Sequence, residues 1–263
     1  MTAPDSWLAT LEELGGFFSL AAAPDATSGA VPWPDVLAEP ALTGRFAAVR
    51  AVLAEGASLP AADLDPKVAV SAVQVSLASR LWSVALAGAA LHGWVPALTG
   101  DNLVASPEHR GPVPLGLRDP DAGYAVSRPA DAARLVGELV VEAGLADLET
   151  ACSRVGRTPR RVLASNSTSA LVGGARVLAR LRPDRAAATW SLTRSLLDHP
   201  AVAAGGGTVD PDGLPVGVGG PMERPDEAFL RSGCCVFYRL PEHGLCPDCV
   251  LAPSRPEQVT PGH

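Results

Sequence analysis

Apolar side chains recur at helical intervals along most of this chain, and those intervals predict where its helices lie. Trp7, Leu8, Leu11 and Leu14 form one stripe of a short helix over residues 4–14. A Gly-, Pro- and Ala-rich connection follows, from Gly15 to about Pro40. Thr43 is placed to cap a second helix that carries Phe46, Val49, Val52 and Leu53 and stops at Gly56. Pro66 then opens a segment, to about Leu91, that is apolar on nearly every face, the pattern of a helix buried in a core. After Gly93 the period changes. Leu103–Ala105, Val113–Leu115 and Tyr124–Val126 read as short strands or extended loops, divided by Pro and Gly turns.

Helices resume at Pro129. Asp131 to Ala143 places Leu135, Leu139 and Val140 on one side. Thr158-Pro159 reads as a helix start, a capping residue followed by proline in the first turn. That helix keeps Leu163, Ala170, Leu171, Gly174, Val177, Leu178 and Leu181 on one face until Pro183, and another spans about 184–198, ending at His199-Pro200. Residues 201–225, rich in Gly and Pro, read as a loop, and the residues from Val250 as a loosely held tail. The expected fold is a predominantly helical α+β protein of two lobes. An N-terminal lobe, residues 1–125, ends in the short strands, and a C-terminal lobe, residues 126–263, carries a cysteine-rich segment at 231–250.

Composition supports that class. Apolar residues make up 47% of the chain but aromatic ones only 5%, which suits closely packed Ala- and Val-rich helices better than a β-sandwich. A net charge of −7 lacks the basic footprint of a nucleic-acid binder. The N-terminus has no basic region followed by an apolar run, so no secretory signal is expected. The uncharged stretch from Leu81 to Leu98 is bounded by Arg80 and broken by His92, Gly93 and Pro96, so it reads as a buried helix running into a loop rather than a transmembrane segment. A cytoplasmic protein follows, with reduced thiols. No glycine fingerprint follows a strand and no P-loop lysine motif occurs, so a nucleotide cofactor site is not expected and electrons would come from another protein.

Four of the 5 cysteines crowd near the C-terminus as Cys234-Cys235, then Cys246 and Cys249. In a reducing compartment such crowding points to metal. Two residues between Cys246 and Cys249 let both sulfurs converge, and Gly244 and Pro247 suit the turns this needs. Adjacent cysteines normally point apart, so Cys234 and Cys235 require a kinked backbone, for which Gly233 offers freedom. Spacing alone fits structural zinc, an iron–sulfur cluster or a metal-free thiol group. His243 reads as a solvent-facing loop residue.

Arg231-Ser232-Gly233-Cys234-Cys235-Val236-Phe237-Tyr238-Arg239, followed by Cys246-Pro247-Asp248-Cys249, resembles the C-terminal signature of the FhuF-like ferric siderophore reductases. More weakly, Leu163 to Leu171 with Asn166, and Leu91-His92-Gly93 followed by Asn102-Leu103, are similar to upstream stretches of that family, with Ser165 where glycine is usual. The resemblance implies a [2Fe-2S] cluster held by Cys234, Cys235, Cys246 and Cys249. It also implies one-electron reduction of a ferric, hydroxamate-type siderophore by an external ferredoxin-like donor. The alternatives are a zinc-stapled interaction module, or an iron–sulfur carrier or sensor without a substrate site.

A cluster of this type is anionic, and cations near it favour the reduced form. Arg231 and Arg239 flank the cysteines and are candidates for that role. The run Ser165-Asn166-Ser167-Thr168-Ser169 is a poor helix former. It either contacts a neighbouring segment or lines a substrate cleft, with Asn166 the leading cleft residue. Arg154, Arg157, Arg160 and Arg161 gather around the start of the Thr158 helix, where they pair with the protein's own acids or form a docking patch. Cys152, His92, Trp82, Trp94 and Trp190 read as packed residues.

Overall fold

The computed structural model describes residues 3–4, 6–22, 29–106, 113–203, 207–208, 229–246 and 248–251. Most of the 201–225 loop and of the C-terminal tail lies outside the described residues. The chain opens with helix α1 (Trp7–Leu14), which buries Trp7 and Leu11, and strand β1 (Ala21–Ala22). Strand β2 (Val31–Pro32) leads into a helical turn, α2 (Trp33–Val36), and then into α3 (Glu39–Gly56). Thr43 does not cap α3: the helix starts four residues earlier, with a proline in its first turn, the position where a missing N–H costs nothing.

Helix α4 (Pro66–His92) is the axis of the molecule. Asp65 caps it by accepting from the Lys67 amide, and Gly93 ends it in the left-handed conformation at φ 59°. A Cβ at Gly93 would stand 2.6 Å from the Val126 carbonyl, so both the conformation and the close approach demand glycine. By length and composition α4 is apolar enough to cross a membrane, but 78% of its most apolar window is buried inside this protein. It is a core helix, as its all-round apolar pattern predicts.

Short strands follow: β3 (Trp94–Pro96), β4 (Leu103–Ala105), β5 (Leu115–Leu117) and β6 (Gly123–Ala125). They form a four-stranded sheet of order β1-β5-β4-β2 and a separate two-stranded β3-β6 sheet. All pairings there are antiparallel except β1 with β5. Asn102 braces this region, donating to the Ala97 and Asp119 carbonyls at 3.0 Å and accepting the Asp119 amide at 2.9 Å.

Helix α5 (Pro129–Val136) continues through a π-helical stretch, Gly137–Leu145, into α6 (Ala146–Gly156). A 3.6-residue period does not anticipate the π stretch, in which Ala143 leaves helical geometry. Helix α7 (Arg160–Leu181) lies along α4, and α8 (Ala186–Leu197), the turn α9 (Pro200–Ala203) and a β7–β8 pair (Gly207–Thr208 with Leu230–Arg231) complete the described elements. Thr158, read as the α7 cap, instead donates its hydroxyl to the Gly156 carbonyl at 3.1 Å. One apolar cluster joins residues from Ala3 to Phe229, with Leu77, Leu81, Trp82 and Leu86 of α4 and Leu163, Leu171 and Leu178 of α7 among its buried members.

Truncating Leu81, which is fully buried in this seam, is expected to lower the unfolding free energy by about 3 kcal/mol, measured by urea denaturation of Leu81→Ala. Burial, and then the charges of Arg182 and Arg185, hold the His92 imidazole below its ordinary pKa. The unfolded chain therefore takes up this proton first as pH falls below about 6.5, and the folded state loses stability there. A His92→Gln variant should show a flatter stability–pH profile than the parent between pH 7 and pH 5.

Candidate metal centre

The cysteine loop crosses the N-terminal ends of α4 and α7, and three sets of contacts seat it there. The first is apolar. Val236 packs with Ala54 of α3, Leu64 and Val68, flanked by Leu53, Phe237 and Leu240. The second is an ion pair between Arg239, in the 3-10 turn Phe237–Arg239, and Asp65, the α4 cap. Partial burial opposes ionisation of the Asp65 carboxyl, but the Lys67 amide and Arg239 together hold its pKa below the usual range.

The third is a buried polar network. The Ser71 hydroxyl of α4 donates to the Cys235 carbonyl at 2.8 Å and accepts from the Asn166 side-chain amide of α7 at 2.6 Å. Asn166 Oδ1 accepts from Arg231 Nη1 at 2.8 Å. Arg231 spends its other donors on Ser169 Oγ at 2.7 Å and on Asp248 Oδ2 at 2.9 Å, while Ser169 itself donates to Asp248 at 2.5 Å. Backbone joins in, since the Arg231 amide donates to the Asp248 carbonyl and Ser165 Oγ donates to that of Gly233. The two arms of the loop are thereby closed on each other and fastened to both core helices.

The kink required by the adjacent cysteines falls at Val236, which follows them with φ 63°, and not at Gly233. A β-branched residue in the left-handed region costs on the order of 1–3 kcal/mol, so its surroundings must hold it there, as its burial on α3 and α4 does. Gly233 serves a different end: a Cβ on it would stand 3.1 Å from the Arg161 carbonyl and 3.2 Å from Ser165 Cβ. Gly244, at φ 71°, makes the turn before Cys246.

Cys235 and Cys246 bring their sulfurs to 3.4 Å. Cys235 and Cys249 are buried, while Cys234 and Cys246 are part-exposed. Backbone amides serve three of the four thiols: Val236 donates to Cys234 at 3.3 Å, Phe237 to Cys235, and Leu251 to Cys249 at 3.4 Å. As free thiols, the Cys235–Cys246 pair loses one proton readily and resists losing the second. The Cys246 hydrogen bond, opposed by burial and helped by the Phe237 amide, pulls Cys235 down to about 6, and a thiolate there pushes Cys246 up. Burial raises Cys234, against the Val236 amide and Arg231. The Arg231 cation acts on Cys234, Cys235 and Cys246 alike.

Residues 231–251 match the family model described as the FhuF 2Fe-2S C-terminal domain. That likeness is confined to the cysteine loop. No curated protein and no solved structure matches the chain. The cofactor of a FhuF-type domain is a [2Fe-2S] cluster, and the residues present fit one: the donor set is all thiol, amide N–H groups point at the sulfurs, and a buried cation faces them. Among the described residues, no three His, Cys, Asp or Glu side chains are grouped as a single ion requires.

Of the other residues singled out, Arg231 is the cation at the FhuF-type site, and Arg239 turns away to Asp65. Asn166 is 1% exposed and committed to Ser71 and Arg231, so its run contacts a neighbouring segment rather than lining an open cleft. His243 is exposed and stacks on Phe237, ring centroids 5.2 Å apart. His92 sits at the far end of α4, about 30 Å from Ser71 at 1.5 Å per residue, and so stands apart from the cysteine loop. Grooves of about 540 Å³ beside Tyr124 and Arg134 and about 310 Å³ beside His92 include no residue of the cysteine loop. Sequence reasoning missed Ser71, Asp65 and Asp248. Ser71 and Gln74 did leave a signal, as polar side chains in an otherwise apolar helix.

Replacing Arg231 with Met strands the Asp248 carboxylate beneath the loop and is expected to cost about 3 kcal/mol, whereas Asn166→Ala costs about 1–2 kcal/mol. Shifts in the urea midpoint of the isolated holoprotein measure both.

Proposed function

We propose that Cys234, Cys235, Cys246 and Cys249 together ligate the [2Fe-2S] cluster, and that the protein reduces a ferric, hydroxamate-type siderophore by one electron, releasing ferrous iron in the cytoplasm. The observation that carries this reading is the FhuF-type match over 231–251, coinciding with four free thiols on one loop, of which Cys235 and Cys246 bring their sulfurs to 3.4 Å. When bound, such a cluster supplies one-electron chemistry at thiolate-held iron.

The chain's own residues supply the rest. Arg231 sets a fixed positive charge against the thiolates, which favours the reduced state. Amides of Val236, Phe237 and Leu251 add oriented dipoles of the same sign. The part-exposed Cys234 and Cys246 mark the edge open to substrate, and Tyr238, Leu245 and Leu251 expose apolar surface from the same loop, suited to the organic shell of a chelate. Hydroxamates hold ferrous iron far more weakly than ferric, so electron transfer alone releases the metal. No general acid or nucleophile is required of the protein. A small ferredoxin-like protein is the proposed donor.

Anaerobically purified protein should be coloured, with equimolar iron and sulfide, and after chemical reduction should turn over a ferric trihydroxamate in the presence of a ferrous-iron trap. Cys246→Ser should lose at least ~10-fold of that turnover, and its visible spectrum should change. A colourless protein holding zinc overturns the reading, as does a reduced protein that leaves the chelate ferric.

A further inference from the structure

The corner between α6 and α7 adjoins the cysteine loop on its outer side. Gly156 rests on Val70, next to Ser71, which holds the Cys235 carbonyl. The Arg161 carbonyl touches Gly233, next to Cys234. Four arginines lie on this corner. Arg154 pairs with Glu39 at 3.7 Å and Arg160 with Glu149 at 3.2 Å. Arg157 and Arg161 are exposed and have no hydrogen-bonding or ion-pair partner among the described residues.

Both sit where local structure does not favour them. Arg157 adopts φ 47°, a left-handed conformation that a side chain other than glycine or asparagine enters at a cost. Arg161 lies in the first turn of α7, where a cation opposes the helix dipole and no acidic residue answers it. The chain as a whole carries −7. Two uncompensated cations beside the metal centre therefore form a local reversal of sign on an acidic protein, a field that attracts an anionic partner to this edge and repels it elsewhere.

We propose that the Arg157–Arg161 corner is the docking surface for a small acidic electron-carrier protein, which delivers single electrons to the cysteine loop. The inference rests on the redox reading above and adds the place and charge of the donor's contact. One electron leaves the reduced carrier and enters this protein, with no bond made or broken. A protein carrier is favoured over the ferric chelate as occupant because three hydroxamates neutralise one ferric ion, so the chelate core lacks the negative charge that a pair of arginines selects and an acidic protein carries.

The test uses the holoprotein, a strongly acidic plant-type [2Fe-2S] ferredoxin as probe, and an Arg157→Glu/Arg161→Glu variant with Arg157→Gln/Arg161→Gln as its neutral counterpart. Binding is measured by titration calorimetry and reduction by stopped-flow absorbance, each across a salt series. The parent should bind the ferredoxin with an affinity that falls steeply with salt, and the Glu variant should bind at least ~10-fold more weakly, with little salt dependence left. The Gln variant should fall between them. Visible spectrum and rate of dithionite reduction should match the parent in both variants, which separates loss of docking from loss of the site. Equal affinity in parent and Glu variant overturns the proposal, as does failure of the parent to bind the ferredoxin. So does an undiminished ferredoxin affinity combined with a raised KM for an anionic ferric chelate, which would assign the corner to the substrate. Failure of the reductase reading shows separately, as a dithionite-reduced protein that leaves the chelate ferric.

Discussion

The Arg231–Asp248 ion pair is the interaction on which the rest of the site depends. It links the strand that enters the cysteine loop to the turn that leaves it, and Asn166, Ser169 and, through Asn166, Ser71 bind the pair to the two central helices. A charge pair this deeply placed is stabilising only when its remaining donors and acceptors are met. Here Arg231 has an acceptor for each of three guanidinium nitrogens. The same guanidinium is the cation that the cysteines feel, so one residue both closes the loop and sets its electrostatics.

That arrangement requires α4 and α7 to hold a fixed register, because Ser71 and Asn166 must meet across their seam. The apolar packing of Leu77, Leu81 and Trp82 against Leu163 and Leu171 supplies the register. Trp82 adds a hydrogen bond to Ser167 and Gln74 one to the Leu163 carbonyl, both across the same seam. A rigid helical pair thus presents its polar end to a loop that has little regular structure of its own. The left-handed Val236 is held by the same seating, since its side chain is part of the small apolar cluster under the loop. The electron transfer proposed for this loop would gain from such a mount, because a fixed environment reorganises little when charge arrives.

Much of this was legible along the chain. The period of apolar residues located α1, α4, α7 and α8 to within a few residues, and the cysteine spacing with its flanking Arg231, Tyr238 and Arg239 located the site. The start of α3 was misplaced because Thr43 offered a cap, whereas Pro40, fixed in φ, started the helix earlier. The helix read over Asp131 to Ala143 is α5 running into the stretch of 137–145, whose π geometry and continuation into α6 leave no separate mark in a 3.6-residue period. Strand β3 escaped because three residues ending in proline carry no alternation to detect.

By itself the sequence determined the elements that depend on local pattern and the chemistry that depends on residue type: a buried all-apolar helix, and four thiols close enough in sequence to share one centre. Only the tertiary structure decided what the polar residues do. Arg231 and Arg239 are equivalent on paper, yet one points into the seam toward the thiols and the other out to the Asp65 cap. Asn166 reads equally as cleft or contact until α4 brings Ser71 beside it. These choices turn on distances between residues 65 to 174 positions apart, which are set by how the helices pack and leave no periodic trace in the chain.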